Sequence, residues 1–179
     1  MKNKDSIFIR PLARADLMFM YTLYSDTEAC RASGARPVDS IIGAQQYLEK
    51  HIQLGNCFVI VLKNTSQPVG LIYCTHDIHR YNKTAYMLSY KLHRDFWGQG
   101  IMPLAVERML KYLFTVHNAT VVTAAHFTDN IRSKRVLEKC GFRYEGTLRK
   151  EFRHWDGSVR DSCMYSILRE EYMETHADK

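Results

Sequence analysis

The stretch Phe96-Trp97-Gly98-Gln99-Gly100-Ile101-Met102 lies between an alternating run that predicts a strand and the longest apolar helical pattern in the chain. Two glycines at the start of a helix let the backbone turn tightly and approach a ligand closely. The unpaired N–H groups of a first helical turn favour an anion at the same place. The stretch therefore predicts a strand, a glycine turn and a helix, with a phosphate as the natural ligand of the turn.

Glycines in such a turn are often only a turn, and two familiar phosphate loops do not fit this one. A P-loop needs Lys and then Ser or Thr after its last glycine, and a dinucleotide-binding loop needs a third glycine where this chain has Pro103. Proline is acceptable in a first helical turn because its missing N–H has no partner to lose there. An ordinary turn and a phosphate-binding turn of another kind both stay open at this point.

Length and composition predict one well-buried domain over residues 1–179, of which 46% are apolar. The 25 basic and 19 acidic residues give a formal charge of +6. This charge favours anionic ligands, but it is scattered along the chain, which argues against a nucleic-acid surface.

The cysteines are odd in number and contain no Cys-x-x-Cys pair, which predicts reduced thiols and no metal site. No apolar run is long enough to cross a bilayer, and residues 1–5 lack the apolar core of a signal peptide. We therefore expect a cytoplasmic protein with no membrane partner. A monomer and a homodimer are both compatible with the sequence.

Apolar periodicity divides the chain into strands and helices. Strands are predicted over residues 7–12, 57–62, 69–73, 84–92, 119–127, 143–155 and 159–168. Helices are predicted over residues 16–24, 40–52, 101–116 and 130–140. Residues 25–39 are expected to form a loop, and the end of the chain from about Thr175 is expected to fray. Asp156-Gly157 predicts a hairpin between the last two strands.

A second motif, Asp129-Asn130-Ile131-Arg132-Ser133, precedes a short helix that ends at Gly141-Phe142. Asn130 can simply cap this helix, or its amide can cap the helix and also face a ligand between two diverging strands. Together the two motifs resemble the GNAT superfamily of acyl-CoA-dependent N-acetyltransferases over nearly the whole chain. The Trp-Gly-Gln-Gly-Ile, Asn-x-x-Ser and Gly-Phe-x-x-Glu-Gly segments are similar to its ribosomal-protein N-terminal (Rim-type) acetyltransferase branch.

The resemblance implies an α/β (α+β) fold with a splayed, mixed, mostly antiparallel central sheet of about seven strands flanked by about four helices. It implies acetyl-CoA as co-substrate, its pyrophosphate on backbone N–H groups of the glycine turn. Its thioester carbonyl would be held near residues 90–92, where a bulge is expected, and Asn130 would contact the pantetheine arm. The implied acetyl-CoA-binding residues are Tyr90, Lys91, Leu92, Trp97, Gly98, Gln99, Gly100, Ile101, Met102, Asn130 and Ser133.

Trp97 and Met102 depart from the wider superfamily pattern without changing the interpretation, whereas two further departures affect the catalytic groups. Met87 and Leu137 stand where many members carry a glutamate base and a tyrosine acid, and neither side chain can transfer a proton. Ser133, three residues after Asn130, is the candidate to hydrogen-bond the leaving sulfur, although a helical serine more often has no such role. Candidates for the base are His76, His79 and His126, and an enzyme without a dedicated base is the alternative.

The implied reaction is direct transfer of an acetyl group to a primary amine, without a metal. A protein N-terminal α-amine is the predicted acceptor, and a small amine such as a polyamine or an amine-bearing antibiotic is the alternative. A non-catalytic acyl-CoA-binding regulator is a further alternative, because the usual acid and base are missing at Leu137 and Met87.

Overall fold

The apolar runs form seven strands in the computed structural model, which describes residues 6–176. The strands are β1 (Ile7–Pro11), β2 (Cys57–Leu62), β3 (Pro68–His76), β4 (Ala85–Leu92), β5 (Val121–Phe127), β6 (Arg143–Arg153) and β7 (Val159–Leu168). Their order in the sheet is β1-β2-β3-β4-β5-β7-β6, and each neighbouring pair is antiparallel except β4 and β5. The predicted mixed, mostly antiparallel sheet is confirmed.

The described part of the chain contains six α-helices, more than the predicted number. They are α1 (Leu17–Ser25), α2 (Thr27–Ser33), α3 (Ile41–Leu54), α4 (Ile101–Thr115), α5 (Ile131–Lys139) and α6 (Arg169–His176). Between residues 6 and 176, no helix is both long and apolar enough to cross a membrane.

Of the two additional helices, α2 falls where a loop was expected, and α6 lies mostly in residues for which no element was predicted. Asp26 begins α2 by accepting a hydrogen bond from the N–H of Ala29 at 3.0 Å, and Gly34 ends it at a φ of 73°. Helix α6 includes Thr175 and His176, so the expected fraying is wrong for these two residues. The predictions for residues 1–5 and 177–179 lie outside the described residues.

Helices cover both faces of the sheet. On one face, α4, α5 and α6 pack on a core that includes Leu88 and Val122, and this is called the α4 face below. On the other, α1, α2 and α3 pack on a second core that includes Val59 and Leu71, and this is called the α1 face. Side chains of successive strand residues alternate between these two faces.

The sheet splays between β4 and β5. Their parallel ladder runs only from Ala85 and Val121 to Leu88 and Ala124, although both strands continue beyond it. The expected bulge at residues 90–92 is absent, because β4 keeps an unbroken register with β3 as far as Leu92. The gap is therefore made by separation of two strands and not by a distortion within one of them.

The free edge of β4 offers backbone groups to this gap. The carbonyl oxygen of Ala85 accepts a hydrogen bond from the N–H of Asp77, which directly follows β3. The N–H of His93, which directly follows β4, donates to the carbonyl oxygen of Val69 in β3. Because bonded residues alternate along an antiparallel pair, Lys91 also bonds to β3, whereas Tyr90 and Leu92 direct their N–H groups into the gap. These are two of the three residues expected to face the thioester carbonyl.

Gly70 of β3 pairs with Leu92 of β4, in the part of β4 that has separated from β5. Because Gly70 has no side chain, β3 and β4 can lie close together there. A Cβ there would lie 2.7 Å from the carbonyl oxygen of Lys91 and 2.8 Å from Cδ1 of Leu92. We expect Gly70→Ala to lower the free energy of unfolding by about 1–3 kcal/mol through overpacking. Denaturant unfolding measures this. In the control Gly43→Ala, the new Cβ meets Val38 at 3.4 Å, so stability should be unchanged or raised. Equal midpoints for the two variants would contradict the close approach.

Candidate active site

A cleft of about 590 Å³ opens at the gap between β4 and β5, within the usual size range of small-molecule sites. It is lined by most of the residues predicted to bind acetyl-CoA, namely Tyr90, Lys91, Leu92, Trp97, Gly98, Gly100, Ile101, Met102, Asn130 and Ser133. Gln99 does not line it, because its side chain turns back and donates to the carbonyl oxygen of Asp95 at 2.8 Å. The structure thus brings the two sequence motifs together in one cavity.

The glycine turn forms one end of the cleft. Gly98 and Gly100 have φ values of 72° and 74°, in the left-handed region that glycine adopts without strain. Gly100 precedes α4 and provides no side-chain cap. Within residues 6–176, the N–H groups of residues 99–102 donate to no protein acceptor. Free N–H groups at the start of a helix can bind a phosphate.

Three basic side chains of α5 line the cleft on the same side, Arg132, Arg135 and Lys139. The guanidinium of Arg132 stacks 3.9 Å from the ring centre of Trp97. Cys140, which follows Lys139, places its sulfur 3.6 Å from the carbonyl oxygen of Pro103 in the first turn of α4. Arg135 and Lys139 were not predicted, although spacings of three residues from Arg132 to Arg135 and four from Arg135 to Lys139 place them along one helix face.

Asn130 connects two helices beside the cleft, α5 and α2. Its Oδ1 accepts a hydrogen bond from the N–H of Ser133 at 3.1 Å, and its Nδ2 donates to the carbonyl oxygen of Ala32 in α2 at 2.9 Å. The side chain thus caps α5 and holds α2 beside it. Contact with a pantetheine arm stays a prediction, since both ends of the amide are already hydrogen-bonded within the protein.

Ser133 and Tyr90 face each other across the cleft, with 2.8 Å between their hydroxyl oxygens. Burial raises the pKa of Tyr90, and therefore its phenol stays protonated at neutral pH. Tyr90 was predicted to act through its backbone, and its hydroxyl was missed. The sequence could not show this contact because the two residues are 43 positions apart.

The side chain of Lys91 points to the α1 face. Its Nζ lies 3.0 Å from the sulfur of Cys30 and 4.0 Å from the ring centre of Tyr24. Burial lowers the pKa of Lys91. Lys91 therefore anchors α1 and α2 to β4 beneath the cleft.

The three histidines occupy different places. His76 does not line the cleft. Its ring stacks on Tyr86, with ring centres 4.9 Å apart. His79 lines the cleft from the exposed loop after β3. His126 of β5 is buried and lines it from the α4 face, on the same side of the strand as Val122 and Ala124.

His126 has one occupied ring nitrogen. Its Nδ1 lies 2.7 Å from the carbonyl oxygen of Phe127, so Nδ1 carries the proton and donates it. Nε2 is buried without a hydrogen-bond partner in the described part of the protein.

Glu151 of β6 is the one carboxylate among the described residues that line the cleft. Its Oε2 accepts a hydrogen bond from Ser162 of β7 at 2.8 Å. The register of β6 shifts between Leu148 and Phe152, where Lys150 has a φ of 52°. Such a bulge redirects a side chain. Glu151 was missed because strand alternation in the sequence does not reveal a bulge.

Glu151 lies on the α1 face of the sheet, opposite the glycine turn. Its partner Ser162 alternates with Cys163 and Tyr165, which pack on the α4 face. Phe127, paired with Ser162 across the ladder, has its ring 5.2 Å from that of Phe152 on the same side. The cleft therefore passes through the sheet, with cations at one opening and a carboxylate at the other.

All five cysteines are free thiols. The described residues contain no group of three or more His, Cys, Asp or Glu side chains placed to hold a metal ion.

A mixed sheet that splays beside a helix start with free N–H groups is the arrangement that the resemblance to acyl-CoA-dependent N-acetyltransferases implies. The chain belongs to the GNAT acetyltransferase family, since the profile described as an acetyltransferase (GNAT) domain matches residues 6–143. It is a GNAT-type N-acetyltransferase with acetyl-CoA as co-substrate, as predicted. Membership of the Rim-type branch stays a prediction.

The names of similar proteins in the family mention different acetyl acceptors. A spermidine N(1)-acetyltransferase from Escherichia coli is 23% identical over 176 residues, which cover 98% of this chain and 93% of the relative. The structure of a GNAT-family acetyltransferase from Bacillus anthracis has a TM-score of 0.83 at 23% identity and covers 93% of this chain and 96% of that one. A ribosomal-protein-S5-alanine acetyltransferase from Vibrio fischeri has a TM-score of 0.73 at 24% identity, with coverages of 93% and 95%. The two structural likenesses establish the fold alone.

The basic side chains of α5 give a testable role in binding acetyl-CoA. We expect Arg135→Gln to raise the Kd for acetyl-CoA about fivefold at low salt, because one exposed charge pair contributes about 1 kcal/mol. The difference should shrink as salt is added. Calorimetric titration at two salt concentrations measures both effects. Lys111→Gln, which removes an exposed charge of α4 outside the cleft, is the control. Equal Kd values for the two variants would exclude a phosphate contact at Arg135.

Proposed function

We propose that the chain acts as one domain that transfers the acetyl group of acetyl-CoA to the N-terminal α-amine of a polypeptide. The observation that carries this choice is the single carboxylate, Glu151, at the acceptor opening of the cleft in residues 6–176. One carboxylate matches an acceptor with one ammonium group. A polyamine carries several ammonium groups and would be held better by several carboxylates.

The other carboxylates near that opening are already paired with arginines. Asp77 and Glu145 both pair with Arg80, which lies between them. Asp129 pairs with Arg160 at 2.8 Å. In contrast, no Lys or Arg of the described chain pairs with Glu151, whose recorded partner is a serine hydroxyl. Because these three carboxylates share two arginines, they offer a polycation much less net charge than three free carboxylates would.

The rim of the acceptor opening also supports a polypeptide. The loop between β3 and β4 borders the cleft through Ile78 and His79. Ile78 is 87% exposed, and Tyr81 in the same loop is fully exposed. Two exposed apolar side chains on one loop beside a site offer apolar area that an acceptor chain can cover. We infer that this loop contacts the acceptor chain beyond its first residue.

The proposed roles follow the path of the cleft through the sheet. Acetyl-CoA, when bound, supplies the acetyl thioester. The N–H groups of Tyr90 and Leu92 in the gap can hold a carbonyl oxygen and stabilise its developing negative charge. Glu151 attracts the acceptor ammonium and can accept its proton, which leaves the amine free to attack. We place the reaction in the cytoplasm, a location that agrees with the free thiols.

Small amines remain the second candidate, because the Escherichia coli relative bears the name of a spermidine acetyltransferase. Release of free thiol should be compared for short peptides with free α-amines, for the same peptides with blocked α-amines, and for spermidine. We expect kcat/KM for a good peptide to exceed that for spermidine by on the order of tenfold or more. A higher value for spermidine than for each peptide would select the small-amine reaction instead.

The Glu151 carboxylate should act on the acceptor and not on acetyl-CoA. We expect Glu151→Gln to lower kcat/KM for the acceptor by on the order of tenfold or more, since it removes the charge that attracts the ammonium. The Kd for acetyl-CoA should stay at its original value. Glu138→Gln, an exposed charge of α5 outside the cleft lining, is the matched control. An acceptor kcat/KM unchanged by Glu151→Gln would show that this carboxylate does not recognise the amine.

A further inference from the structure

Departure of a thiolate needs a hydrogen-bond donor near the sulfur, and the cleft offers few on the α4 face. Ser33 donates to carbonyl oxygens of α2, and Ser162 donates to Glu151 on the α1 face. Ser89 alternates with Tyr90 along β4 and therefore also points to the α1 face. Tyr90 and Ser133 are then the hydroxyl groups of the described lining that remain beside the glycine turn.

We propose that the Tyr90 hydroxyl is the catalytic donor to the leaving sulfur of acetyl-CoA, and that Ser133 is its positioning residue. This inference rests on the acetyl-transfer activity and is independent of the acceptor. It reverses the order expected from sequence, in which Ser133 contacts the sulfur directly.

The hydrogen bonds around Ser133 support this order. Its N–H is fixed by Asn130, which is itself held by α2, so the serine side chain has a defined position. When the Ser133 hydroxyl donates across the 2.8 Å contact, the hydrogen of the Tyr90 hydroxyl is free for another acceptor. The carbonyl oxygen of Ser133, 3.4 Å from the Tyr90 oxygen, is a weak alternative acceptor for that hydrogen. In the proposed complex, the sulfur of acetyl-CoA replaces this carbonyl oxygen as the acceptor of the Tyr90 hydrogen.

The surroundings of Tyr90 suit a donor. Its ring packs on the core of the α4 face, and Ser133 is only 9% exposed. Charge that develops in a site with little water depends strongly on a prepositioned donor. The raised pKa of Tyr90 keeps its hydroxyl in the donating form across the neutral range.

The proposed step is balanced without a further reagent. The acceptor nitrogen forms a bond to the thioester carbon, and the bond between carbon and sulfur breaks with its electron pair on sulfur. Tyr90 donates a hydrogen bond to that sulfur and passes its proton as the thiol forms. The proton released by the acceptor nitrogen enters solvent, directly or by way of Glu151, and one proton from solvent returns through Ser133 to Tyr90. The products are one amide and one thiol.

The test compares kcat with acetyl-CoA binding in Tyr90→Phe, using whichever amine the enzyme acetylates. We expect kcat to fall by on the order of tenfold or more, with the Kd for acetyl-CoA and the melting temperature close to the original values. Ser133→Ala should lower kcat by a smaller factor than Tyr90→Phe does. The kcat of the double variant should lie within about twofold of that of Tyr90→Phe, because the two groups act as a unit.

Tyr86→Phe is the matched control, since Tyr86 lies on the same face of β4 but outside the cleft lining. An unchanged kcat for Tyr90→Phe, under conditions where chemistry limits the rate, would overturn the proposal. A larger loss for Ser133→Ala than for Tyr90→Phe would return the donor role to Ser133. A raised Kd with an unchanged kcat would make Tyr90 a binding residue. Each outcome requires turnover by the original enzyme, so a failed acceptor proposal is seen separately as inactivity with peptides.

Discussion

The short parallel ladder between β4 and β5 is the constraint on which the rest of the site depends. Pairing ends at Leu88 and Ala124, and the strands continue apart for several residues. Backbone groups that would have bonded across the sheet are left free in the gap. Because side chains alternate along each strand, the same separation assigns Tyr90 to the α4 face and Lys91 to the α1 face. In the proposed reaction the two substrates therefore approach from opposite faces and meet at the free edge of β4.

Two strands that separate need another element to fix the width of the gap, and α2 provides it. On one side, Asp26 pairs with Arg94, which follows β4. On the other, the carbonyl oxygen of Arg31 contacts Nε2 of His154, near the end of β6, at 3.2 Å. The Arg94 guanidinium lowers the pKa of Asp26 to about 2. The Asp26 carboxylate is thus charged at neutral pH, and its contribution to stability is lost only as pH falls from about 4 towards about 2.

Sequence patterns predicted the features that arise from neighbouring residues. The glycine turn, the start of α4 at Ile101 and the cap at Asn130 depend on residue types within a few positions, and the structure contains all three. Helix α2 was missed because seven residues with two buried side chains carry almost no periodicity. The position of Glu151 depends on a bulge in β6, and the partner of Ser133 comes from a distant strand. Patterns within one segment contain no information on either.

The apolar residues at Met87 and Leu137 show how a site can change its side chains and keep its geometry. Leu137 is fully buried in the core of the α4 face and cannot reach a ligand with a polar group. The gap is nevertheless bordered by β4, β6 and α5, so a hydroxyl or a carboxylate on any of them can reach the same space. In our proposal, Tyr90 supplies the hydroxyl from the α4 face and Glu151 supplies the carboxylate from the α1 face. Because Tyr90 and Glu151 line the cleft from opposite faces of the sheet, each is placed to serve its own substrate.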